Sequence, residues 1–83
     1  MVNSMHGQKT LLNLSNKQRA RILEVHGGHG FRRKLGAMGI REGQIVTMLS
    51  KQPFRGPLTI SVCGCQMTLG RGMAHRIFVE DIK

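Results

Sequence analysis

Six side chains in this sequence are of types that bind soft metals or move protons: His6, His26, His29, His75, Cys63 and Cys65. The acids are four, Glu24, Glu42, Glu80 and Asp81. No two are spaced to suggest a general acid/base pair, and Glu80-Asp81 near the C-terminus reads as a solvated pair. No local Ser–His–acid or Cys–His signature stands out. Gly27-Gly28-His29-Gly30 lacks the Lys-Ser/Thr of a phosphate loop and the spacing of a dinucleotide fingerprint. The reading is therefore of a binding module, not an enzyme. Cys63-x-Cys65 and His26-x₂-His29 supply ligand types that Zn²⁺ or Fe²⁺ accept. They would form a tetrahedral site only if the two segments met in space. Failing that, Cys65 packs inward as a small hydrophobe and Cys63 sits in a turn. No cofactor is otherwise implied.

The stronger chemical signal is charge. Thirteen Lys and Arg against four acids leave a formal charge of +9, which favours anionic partners: nucleic acid, an anionic membrane surface or an acidic protein face. Arg32-Arg33-Lys34 is the densest run, with Arg19, Arg21 and Arg41 near it in sequence. Three Phe and no Trp or Tyr remove most of the stacking platforms used by single-strand binders.

The elements that must position these groups are short. A chain of 83 residues makes one domain with a thin core, burying roughly 60–65% of its unfolded surface. Residues 1–10 are polar and aperiodic, a loose tail, and residues 11–83 form the domain. Leu11, Leu12 and Leu14 make a lid on the core. Residues 19–26 read as a strand with Ala20 and Ile22 on one face and Leu23 and Val25 on the other, a pattern that calls for cover on both sides or a face-switching bulge. Phe31, Leu35 and Met38 fall at i, i+4 and i+7, one stripe of a helix over 31–38. Gly39 suits the left-handed position after it, and Ile40 can touch Leu35 in a Schellman ending. Arg32 and Arg33 point away from the stripe, with Lys34 on its flank.

A turn at 41–43 leads into a strand over 44–50. Pro53, Gly56 and Pro57 then form a loop with Phe54 at its tip. Leu58, Ile60 and Val62 alternate with Thr59 and Ser61, and Cys63-Gly64-Cys65 reads as a tight hairpin. In the return strand Cys65, Met67 and Leu69 share the inner face. Residues 70–76 fit a turn or a single loop of 3₁₀ helix, before a last strand at 77–79. Five short strands with tight turns suit a small barrel, whose closure removes exposed edges. The pattern is mainly β with one short helix. No segment approaches the ~20 apolar residues that cross a bilayer, so membrane insertion is not expected. The first residues lack the layout of a secretory signal, and the two cysteines are too close for a useful disulfide; these point to a reducing cytoplasm.

In order and spacing, several stretches resemble the FeoA family, small cytosolic proteins of the bacterial Feo ferrous-iron uptake system. These are Leu35, Gly39, Ile40 and Gly43, then Gly56-Pro57, then Ala74, Ile77 and Val79, with the likeness spanning roughly 11–82. The resemblance implies an SH3-like β-barrel. It also implies a regulatory or accessory role at the membrane transporter FeoB, a GTPase-linked permease, and hence a cytoplasmic place near the membrane. The same fold occurs as an appended domain in iron-responsive repressors of the DtxR type, although no DNA-reading helix-turn-helix is visible here. Departures from the family pattern are the tail, the Cys-x-Cys hairpin and the basic run. The expected partner contacts are Phe31, Arg32, Arg33 and Lys34 on the helix and Phe54 and Arg55 on the loop. A basic nucleic-acid-binding barrel is the alternative, and a transition-metal site at Cys63 and Cys65 a further one. Oligomeric state is not legible.

Overall fold

The computed structural model describes residues 9–82. The first eight residues of the expected tail lie outside the described residues. Its last two, Lys9 and Thr10, form a short strand β1 instead of a tail, pairing with residues 78–79. Thr10 caps the 3₁₀ turn Leu11–Asn13, and Asn13 reciprocates on the Thr10 amide at 2.8 Å. Leu11 and Leu14 are fully buried and Leu12 packs at their edge, so this segment is the lid that its leucines foretell.

Further along, β2 (Arg19–Val25) leads through Gly27-Gly28 to helix α1 (His29–Ala37), then β3 (Ile45–Lys51), β4 (Leu58–Val62), β5 (Cys65–Leu69), the short helix α2 (Arg71–Ala74) and β6 (Ile77–Asp81). All pairings are antiparallel, in the order β1-β6-β2-β3-β4-β5. The strands wrap one core of aliphatic side chains, to which every strand except β1 contributes. Unlike a strictly closed barrel, the sheet keeps β1 and β5 as edges paired on one side only among the described residues.

Two bulges shape it. In β2 the register slips between Ile22 and Glu24, so Ala20, Ile22 and Val25 all face the core while Leu23 turns out. The two apolar faces of this strand are thus one face interrupted by an extra residue. A second slip, between Met48 and Ser50 of β3, has no such signal in the sequence. β4 alternates as its residues dictate, with Leu58, Ile60 and Val62 buried. In β5 exposure grows toward the hairpin: Leu69 is buried, Met67 half-buried and Cys65 exposed. The inward packing expected of Cys65 is therefore corrected. Cys65 pairs with the buried Val62, but β5 is an edge strand, and among the described residues no strand covers its other side.

The helix begins two residues earlier than its apolar stripe indicates, capped by the Gly28 backbone. Gly27 has φ +142°, and a Cβ there would meet Phe31 Cδ2 at 2.6 Å, so the glycine lets the chain turn against the first stripe residue. Leu35 is fully buried, with Phe31 and Met38 packed at the core margin. The ending is a Schellman motif: Ile40 N–H donates to Leu35 O at 2.9 Å and Gly39 N–H to Gly36 O at 3.0 Å, with Gly39 at φ +97°. Both glycines have open space at the Cβ position, so only backbone conformation separates them. Gly39→Ala is expected to destabilise by about 1 kcal/mol or more. Gly36→Ala, at a helical φ, should stabilise by about 0.5–1 kcal/mol. Thermal melts of the two variants moving the same way would contradict this cap.

Candidate protein-docking site

α1 stands between β2 and β3 with its apolar stripe on the core, so its other sides are free to carry charge. Arg32, Arg33 and Lys34 are all exposed. Arg76 lies 5.0 Å over the Phe31 ring, a cation–π contact that adds a basic group beside the helix. Phe31 is therefore only half available to a partner. Arg41, in the turn before β3, donates from Nε to Gly36 O at 3.3 Å, tying that turn to the end of α1.

Between α1 and the 41–42 turn runs an open groove of about 410 Å³. Its lining includes Val25, His29, Arg32, Arg33, Ile40 and Arg41. Glu42 lies in the same groove and reaches Arg32 at 3.6 Å, with both side chains about half exposed. Such a pair contributes about 0.2–1 kcal/mol at most. Arg19 and Arg21 are exposed on β2 but do not line the groove, and Arg21 is engaged by Glu80 of β6 at 3.3 Å. The basic run and Arg41 thus converge, whereas the β2 arginines form a separate patch.

Each acid already has a partner. Besides Glu42 and Glu80, Asp81 accepts from Lys9 and Gln18, and Glu24 lies 2.6 Å from His26 Nε2. His26 also stacks on Phe78, centroids 4.3 Å apart. Among the described residues no three of His, Cys, Asp and Glu gather where they could hold one metal ion. The expected set of His26, His29, Cys63 and Cys65 is not brought together. Cys63 and Cys65 are free and exposed, and the Cys63 thiol donates to Gln44 Oε1 at 2.9 Å. This puts the cysteine hairpin beside the start of β3.

Phe54 and Arg55 lie at the other end of β3, about 20 Å along a seven-residue strand. Phe54 is 99% exposed. Both residues have positive φ, 57° and 64°, a region L-residues enter at a cost. The loop is pinned beneath them by Gln52 N–H to Pro57 O and Gly56 N–H to Pro53 O, each 3.1 Å. A side chain touching so little of its own fold contributes little to stability. Phe54→Ser should leave denaturant midpoints within about 0.5 kcal/mol of the parent. Any larger loss would show that the ring packs on the barrel in solution.

The sequence alone pointed to the helix and the loop but missed the groove. Its walls come from three separate segments, and Glu42 reads there only as a turn residue. No helix of the described residues is long and apolar enough to cross a membrane.

Comparison with known proteins agrees with this architecture. The FeoA domain model matches residues 9–81. The chain is 35% identical over 60 residues to the "Putative Fe(2+) transport protein A" of Methanocaldococcus jannaschii, covering 72% of this chain and 71% of that one. A crystal structure of an iron uptake regulatory protein, FeoA, superposes with a TM-score of 0.83 at 31% identity, covering 90% of this chain and 99% of the other. A manganese-dependent transcriptional repressor shares the fold alone: TM-score 0.82, 16% identity, with 90% of this chain laid on 42% of the repressor. With its SH3-like sheet, helix α1 docked on the core and a family match over all but the last of the described residues, this chain belongs to the FeoA family.

Proposed function

We propose that the protein is an accessory component of ferrous-iron uptake that binds the cytoplasmic GTPase region of a FeoB-type membrane transporter. It would act as a binding module, not a catalyst, at the inner face of the membrane. The observation that carries this reading is the family match over residues 9–81, supported by the Fe²⁺-transport and iron-uptake names of two similar proteins. The surface suits it. Phe31, Arg32, Arg33 and Lys34 offer a basic face, and Phe54 with Arg55 an aromatic anchor of the kind that dominates interface energies.

Co-purification tests it. The chain, immobilised and incubated with membrane extract of the source cell in mild detergent, is expected to retain a polytopic GTPase. Clean failure to do so contradicts the proposal. A nucleic-acid binder would instead hold duplex DNA or RNA with a steep salt slope. Submicromolar binding at about 200 mM salt would replace the transporter reading with that one.

A further inference from the structure

The groove beside α1 combines an apolar floor with a cationic rim. Val25 and Ile40 form the floor, and His29, Arg32, Arg33 and Arg41 the rim. Beyond the Arg32–Glu42 pair the depression continues over Leu23, Glu24, His26 and Gly27. Leu23, the residue at the β2 bulge, is 43% exposed there. The first turns of α1 hold His29, Arg32 and Arg33 with no acid in the first turn, and Gly28 brings no side chain to the free amides. Cations at that end oppose the helix dipole, so the groove carries more positive charge than the fold requires. Glu42 is the one acid in the groove itself, and it is held by Arg32.

We propose that this groove seats an acidic, partly apolar peptide segment of the protein partner, and that Glu42 occupies Arg32 until a carboxylate of that segment displaces it. This rests on the docking reading above and names its ligand. Carboxylates suit Arg33 and Arg41 because guanidinium forks pair with them in two parallel hydrogen bonds. An apolar side chain of the segment would cover Leu23, exposed in the continuation of the groove. A phosphate backbone would satisfy the arginines, leave Leu23 wet and face Glu24 and Glu42. Side chains of a peptide can enter a groove of this kind, whereas a flat lipid surface cannot.

The test uses the full chain, labelled with ¹⁵N, and a short fluorescent peptide of alternating Glu and Leu as probe. Amide shifts are expected to concentrate at Leu23–His29 and Ile40–Glu42. Glu42→Gln should tighten binding about threefold by releasing Arg32, while Arg33→Ala with Arg41→Ala should weaken it about tenfold. Arg19→Ala, exposed on β2 and outside the groove, should change it less than about twofold. The proposal is overturned if shifts centre on the Phe54 loop, if Glu42→Gln does not tighten binding, or if Arg19→Ala costs as much as the arginine pair. Duplex DNA that produces the same shifts at equal strength also overturns it. Recovery of the transporter without groove binding by the peptide removes this inference alone. Groove binding without transporter recovery supports it and removes only the identity of the partner.

Discussion

Leu35→Ala is expected to destabilise the protein by about 3 kcal/mol, within the 2–5 kcal/mol usual for truncating a buried leucine. Leu35 is fully buried, sits at the centre of the α1 stripe, and its carbonyl receives the Ile40 amide that ends the helix. A nine-residue helix is too short to persist without such docking, so the loss falls on the element that carries the basic face. For a domain of this size the melting temperature should drop by roughly 12–24 °C. Urea titration gives the free energy directly. A loss below about 1 kcal/mol would mean that α1 is anchored elsewhere, because large costs arise where a core cavity forms.

Reversing charge at Arg32 and Arg33 to Glu has the opposite profile. Both side chains are exposed, and among the described residues Arg32 makes only the weak pair with Glu42. Stability should therefore stay within about 1 kcal/mol of the parent. Affinity for the transporter's cytoplasmic region should fall about 100-fold, since like charges placed against a complementary patch cost several kcal/mol. The loss should shrink as salt is added. A folded variant that keeps full affinity would move the docking surface away from α1.

These two outcomes separate what α1 does for the fold from what it does for a partner, and the sequence carried the first more plainly than the second. The i, i+4, i+7 stripe, the Gly39 stop and the alternation of β4 are local signals. Each is fixed by a backbone period or a single torsion, and each stands in the structure. The two apolar faces of residues 20–25 called for cover on both sides or a bulge, and the strand takes the bulge. What stayed hidden depends on pairing. Lys9 and Thr10 become a strand only because β6 offers an edge. The β3 slip answers its neighbour β4. Cys65 keeps the alternation of its strand and faces the buried Val62, yet is exposed, because β5 has no neighbour on its outer side among the described residues. The groove joins the β2 bulge, the first turns of α1 and the 41–42 turn. No spacing within one segment could reveal it.

The most direct measurement of the central claim is calorimetric titration of the purified cytoplasmic GTPase region of the source cell's FeoB-type transporter into this protein and into its Arg32→Glu/Arg33→Glu variant. Saturable binding to the parent chain, lost in the equally folded variant, is expected. Absence of binding to the parent, or equal binding to both, would contradict it.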